Sequence, residues 1–151
     1  MKRWGELGSG DMIARAVSSK SSEGGAGRPV SILIVEDEAL VASYIQNVLE
    51  ESGFTVSGVA SSGPEAISLA SEAAPDLALV DIKLAGPMDG IEVAQLLQGR
   101  FGVRSIFLSG IHDPETMGRA KETQPLGFLQ KPFRPSQVFN ALEKALSDLA
   151  L

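Results

Sequence analysis

The feature that most constrains the fold of this chain is Asp76-Leu77-Ala78-Leu79-Val80-Asp81, a short apolar run that stops on a carboxylate. An unbroken apolar run of this length reads as a strand covered on both faces, the way strands of a parallel sheet are buried. A carboxylate directly after such a strand cannot sit unpaired in the core, because burying a lone charge is too costly. Asp81 is therefore expected at the strand's carboxyl end, where open α/β sheets carry their sites.

From Val30 onward, strand and helix signals alternate five times. Residues 31–35 form a second continuous, β-branched run, and Glu36-Asp37-Glu38 then leads into a helix. Leu40/Val41, Tyr44/Ile45 and Val48/Leu49 recur along that helix at the spacing of one face, and Gly53 offers a stop. Residues 54–59 alternate loosely, as a strand near an edge does. Ser62-Gly63-Pro64-Glu65 has capping-box spacing, and Pro75 closes the helix that follows. After Asp81 comes a turn-rich loop, then a helix over about 91–98 and a strand over 104–108 that ends at Ser109-Gly110. Asp113-Pro114 predicts an N-cap and a short helix with a thin apolar face. A strand over 127–130 meets Lys131-Pro132, and a last helix runs from about Pro135 to Leu149. Five such repeats with right-handed crossovers predict an α/β fold: a doubly wound, five-stranded parallel sheet of order 2-1-3-4-5. Its switch point is a crevice between the first and third strands.

Residues 1–29 differ from the rest and are expected to be a flexible N-terminal tail, with residues 30–151 as the folded domain. Residues 18–27 are a Ser/Gly-rich linker by composition, while Trp4, Leu7, Met12, Ile13 and Val17 leave open a segment that docks on the domain or a partner. Charge follows the same division. Residues 1–29 carry five basic and three acidic residues, and the remainder eight and sixteen, so the body is strongly acidic. That disfavours direct nucleic-acid binding, which depends on neutralising phosphates. No apolar stretch approaches membrane-span length, and no membrane partner is expected. The chain has no cysteine, which excludes thiolate chemistry and fits a cytoplasmic setting. Its one histidine, His112, reads as a surface or loop residue.

Glu36 and Asp37 follow the first strand, Asp81 ends the third, Ser109 ends the fourth and Lys131 follows the fifth. Three carboxylates gathered at a switch point repel one another unless a cation is present. Oxygen ligands without histidine or cysteine select a hard ion such as Mg2+. With that repulsion neutralised, Asp81 is free to attack phosphorus, Lys131 supplies a compact positive charge, and Ser109 supplies a hydroxyl donor. The chemistry these residues suit is formation of an acyl phosphate.

Residues 32–38, 78–81, 107–110 and 128–133, four motifs in order and each at a strand end, resemble the receiver domain of two-component response regulators. The resemblance covers residues 31 to about 149. It implies a receiver (flavodoxin-like) fold and a phosphorylation-controlled switch, not an enzyme. It also implies that Asp81 is the phosphoacceptor and that a sensor histidine kinase or a histidine phosphotransfer protein is the donor. Asp37 becomes the main Mg2+ ligand, Glu36 assists through water, and the Lys83 backbone carbonyl completes the protein's share. Lys131 contacts phosphate and precedes a cis Pro132. Ser109 and Phe128 become the switch pair, the hydroxyl moving toward the phosphoryl group as the ring turns inward.

A stand-alone receiver is expected, with output through a downstream regulator protein or a homodimer formed by the 113–149 face. Three features depart from the family pattern: a loop from Asp81 to Asp89-Gly90 that is one residue longer than the commonest spacing, a lysine at position 83 beside the site entrance, and residues 121–127 in place of the usual small-residue turn before the fifth strand. Two alternatives weigh against this assignment. A phosphoaspartate-forming hydrolase wants an acid two residues after the nucleophile, where Lys83 stands. A flavin-binding module wants a Ser/Thr/Gly-rich phosphate loop after the first strand, where three acids stand.

Overall fold

In β1 (Ser31–Val35) and β3 (Leu77–Asp81), apolar side chains follow one another without a polar break because each face of the sheet meets its own helical layer. Ile32, Ile34, Leu77, Leu79, Ile106 and Leu108 project to one side, and Leu33, Val35, Ala78, Val80 and Phe107 to the other. The computed structural model describes residues 28–110 and 112–150. The predicted tail, apart from its last two residues, lies outside them. The other strands are β2 (Thr55–Ala60), β4 (Arg104–Ser109) and β5 (Gly127–Gln130). All pairings are parallel and the order is β2-β1-β3-β4-β5, as predicted.

The helices are α1 (Ala39–Glu51), α2 (Gly63–Glu72), α3 (Gly90–Phe101), α4 (Pro114–Glu122) and α5 (Pro135–Asp148). Ile45, Leu49, Val138 and Leu142, from α1 and α5, fill the first core layer. Ala66, Ala70, Ile91, Val93, Leu97 and Ala120, from α2, α3 and α4, fill the second. Each fully buried Leu, Ile or Phe contributes about 1.5–3 kcal/mol, so the two layers are the main source of stability.

Local signals set most of the ends. Gly53, at φ 93°, and Gly102, at φ 70°, terminate α1 and α3 in the left-handed region that glycine enters without penalty. Asp89 and Glu92 form a complete capping box on α3, and Asp113 accepts the Thr116 N–H on α4. The box expected at Ser62 is only half formed. Ser62 Oγ accepts the Glu65 N–H at 3.3 Å, but the Glu65 carboxylate turns to Ser61 instead.

Only part of the apolar face expected along α1 is buried. Ala42, Ile45, Val48 and Leu49 face the core, whereas Leu40 is 87% and Tyr44 38% exposed. Each helical residue turns by about 100°, which carries positions 40 and 44 round to the side of the helix away from the stripe formed by Ala42, Ile45, Val48 and Leu49. Tyr44 instead leans on Phe133, with ring centroids 6.1 Å apart.

At the opposite end of the sheet, Asp76 accepts the Ser31 N–H at 2.8 Å and both Arg28 guanidinium nitrogens at 2.7 and 2.8 Å. Arg28, counted with the tail in the sequence, is thus tied to the start of β3. No described helix is long and apolar enough to cross a membrane.

Candidate functional site

The carboxyl ends of β1, β3 and β5 deliver their charged residues to one crevice of about 530 Å³. Asp37, Glu38, Asp81, Lys83, His112 and Lys131 are among the residues that line it. Asp81 is 4% exposed, yet both carboxylate oxygens have partners. Oδ1 accepts the Lys83 N–H at 3.1 Å, and Oδ2 lies 3.1 Å from Lys131 Nζ. Close backbone packing fixes this position: a Cβ on Gly90 would stand 1.8 Å from the Asp81 carbonyl oxygen. The start of α3 therefore rests directly on the residue that carries the site.

Lys131 is the electrostatic hub. Its ammonium lies 3.0 Å from Glu36 Oε1, 3.1 Å from Asp81 Oδ2 and 3.6 Å from Glu38 Oε1. Burial by itself lowers the Lys131 pKa, but the close carboxylates of Glu36 and Asp81 outweigh it and leave the value raised. Glu36, 1% exposed, is held above its ordinary value chiefly by burial, with the Asp81 charge adding to the rise. The Glu38 N–H, 3.0 Å from Glu36 Oε2, and Lys131 both act the other way. The contact of Oε1 with Lys131 has the distance of an ion pair without the alignment of a hydrogen bond, so this buried oxygen lacks a hydrogen-bond donor.

An orphaned carboxylate oxygen in such a place suits a cation. Glu36, Asp37 and Asp81 each offer an oxygen within 4.8 Å of the other two. Three carboxylates with no histidine or cysteine form a donor set for a hard divalent ion. Asp37 is more open than Glu36 or Asp81, and its Oδ2 accepts the Ala85 N–H at 2.9 Å, tying the loop after β3 to the end of β1.

The predicted residues Glu36, Asp37, Asp81, Lys83 and Lys131 are thus gathered at one end of the sheet. Ser109 is buried at the end of β4, and its carbonyl accepts the Lys131 N–H at 2.7 Å. The Lys131–Pro132 bond is cis, as expected. Phe128 stands apart from the carboxylates. Its half-buried ring packs on Phe107, with centroids 5.8 Å apart, as part of the second core layer. The sequence reading assigned no role to Glu38, yet it faces Lys131. His112, expected at the surface or in a loop, does lie in the loop between β4 and α4, where it is half-buried in the crevice wall. Loop residues carry no periodicity from which such placements follow. Beside the crevice, Leu40, Val41, Tyr44, Pro132 and Phe133 line an open apolar groove of about 460 Å³, with Lys131 shared between the two.

A five-stranded 2-1-3-4-5 sheet with an acid cluster and a lysine at its switch point defines the receiver class of signalling domains. The chain belongs to that family: the model of the response regulator receiver domain matches residues 32–143. It is similar to the transcriptional regulatory protein PdtaR of Mycobacterium tuberculosis, 30% identical over 131 residues, covering 87% of this chain and 63% of PdtaR. It is also similar to the phyllosphere-induced regulator PhyR of Methylorubrum extorquens, 36% identical over 116 residues, covering 76% of this chain and 43% of PhyR. The chain thus spans less than two thirds of these relatives' lengths. Among solved structures, the signal receiver domain of a modulated diguanylate cyclase from Desulfovibrio desulfuricans superposes with a TM-score of 0.74 at 39% identity. That match covers 78% of this chain and 94% of the other.

Proposed function

We infer that this chain is a phosphoacceptor switch in which Asp81 takes a phosphoryl group from a histidine of a kinase or phosphotransfer protein. The observation that carries this reading is the Asp81 carboxylate itself, buried at the end of β3, bonded to Lys83 N–H and Lys131 Nζ, and clustered with Glu36 and Asp37. In the transfer, an Asp81 oxygen forms a bond to phosphorus as the donor's P–N bond breaks, and the imidazole nitrogen keeps the electron pair. Lys131 then follows the developing negative charge onto the phosphoryl oxygens. Asp37, Glu36, Asp81 and the Lys83 carbonyl are the residues suited to holding Mg2+, which when bound offsets the repulsion between the acids and the incoming phosphoryl group.

Ser109, at the end of β4, is placed to donate its hydroxyl to a phosphoryl oxygen, and Phe128 is the aromatic residue on β5 that would respond. The apolar groove of Leu40, Tyr44 and Phe133 adjoins the crevice and suits the apolar face of a helical donor protein. Output runs through the 113–149 face, to a downstream regulator or a second copy of this chain, in the cytoplasm, where such phosphodonors work.

Intact-mass measurement after incubation with Mg2+ and a small phosphodonor tests the reading. One phosphoryl group is expected on the wild-type chain and none on Asp81→Asn with its fold intact. Labelling that survives in Asp81→Asn removes Asp81 as the acceptor.

A further inference from the structure

The weakest-held element of this fold lies within the output face, at its edge nearest the site. Among the described residues of α4, Ala120 is the one that is buried, and Gly118 sits mid-helix, where an added Cβ would meet nothing within 4 Å. Glycine inside a helix and a thin apolar face both lower local stability. The loop that feeds α4 is also poorly satisfied. In it, His112 Nε2 is buried with no hydrogen-bond partner in this arrangement, a cost that a different loop arrangement would relieve.

Against this, an ion pair reaches from α4 to the β3–α3 loop near the site: Arg119 Nη2 lies 3.3 Å from Asp89 Oδ2. Asp89 is itself well anchored. Its Oδ1 accepts the Glu92 N–H at 2.9 Å as the cap of α3, and the next residue, Gly90, packs against the Asp81 backbone. The pair therefore ties a loosely packed helix to the stretch of chain that starts at the phosphoacceptor. Both side chains line the polar crevice between the β3–α3 and β4–α4 loops, with Lys83, His112 and Thr116.

We propose that the Arg119–Asp89 ion pair is a latch that holds α4 in its resting position and sets how readily phosphorylation releases it. The proposal rests on the phosphoacceptor reading and deepens it, by naming the contact that opposes the switch. Phosphorylation acts at both ends of the latch. Ser109, drawn toward a phosphoryl group, pulls on the loop before α4, while charge added at Asp81 sits beside the segment leading to Asp89.

The test is hydrogen–deuterium exchange on the full chain, comparing wild type, Arg119→Ala, Asp89→Asn and the double variant. Asparagine caps helices about as well as aspartate, so Asp89→Asn removes the charge and keeps α3 capped. Arg119→Ala is expected to speed exchange of the 114–122 amides about one-and-a-half to fivefold, the range for an exposed pair, and to leave β3 and the interior of α3 unchanged. Asp89→Asn should match it, and the double variant should go no further, as two halves of one interaction do. High salt should bring wild type toward the variants and leave Arg119→Ala unmoved. Beryllofluoride with Mg2+, as a phosphoryl stand-in, should speed α4 exchange more in wild type than in Arg119→Ala. Exchange of α4 at the wild-type rate in Arg119→Ala, additive single effects, or equal acceleration across the whole domain would each overturn the latch. Should Asp81 fail to take a phosphoryl group, the phosphoacceptor reading falls. The exchange cycle on the unphosphorylated protein still judges the contact by itself.

Discussion

Glu36 carries the clearest burial cost in the crevice. Its carboxylate is almost fully buried, has an oxygen with no donor, and stands beside Asp81 with Lys131 as the shared counterion. Burial raises its pKa above the ordinary 4.5, so holding it ionised at neutral pH works against folding. Glu36→Gln is therefore expected to raise the thermal midpoint of the metal-free protein while weakening Mg2+ binding about 10–100-fold, measured by calorimetry. Asp76 behaves in the opposite way. Burial would raise its pKa, but Arg28 and the Ser31 N–H outweigh that and hold it below the ordinary 3.8. A depressed carboxylate contributes stability above pH 3.8 and loses it as pH falls through the lower, folded value. Asp76→Ala should thus cost about 1 kcal/mol at neutral pH, discounted for the exposure of Arg28, and flatten the acid limb of a denaturation profile. A profile unchanged below pH 3.8 would show that the pair does not couple to folding.

Among the elements, the start of α3 matters most. Asp89 caps it, Glu92 completes the box, and Gly90 lets the helix approach the Asp81 carbonyl. Gly90→Ala would drive a methyl group into backbone that cannot yield, so a loss of about 2–4 kcal/mol is expected in denaturant melts. Small-donor phosphorylation should fall as well, because Asp81 must shift to make room. Wild-type stability in this variant would mean that the loop after β3 relaxes more freely than its packing suggests. Element identity was largely legible beforehand: the capping residue Asp113, the stop glycine Gly53 and the unbroken apolar runs in β1 and β3 all act through neighbours in sequence. The exposed stripe of α1 was not legible. Leu40 and Tyr44 are apolar at positions whose outward direction depends on where the sheet and Phe133 lie.

On the scale of the whole molecule, a cation held by Glu36, Asp37 and Asp81 would couple to folding. A cation that binds the native crevice and not the unfolded chain stabilises the native state by mass action, about 2.7 kcal/mol at a hundred times its Kd. Adding Mg2+ should therefore raise the unfolding midpoint of the wild-type chain, and EDTA should reverse the rise. A midpoint indifferent to Mg2+ would count against the three carboxylates as a cation site.

Residue order determined by itself the alternation of strands and helices, the sheet order and the set of strand-end residues. Those follow from periodicity, caps and crossover handedness, which are properties of neighbours along the chain. Tertiary structure decided which acids share Lys131, that Glu36 is buried while Asp37 is more open, that α1 presents an apolar stripe outward, and that Arg119 reaches Asp89. These depend on distances between residues far apart in sequence. Such distances are set only when two helical layers close on the sheet and fix where each loop ends.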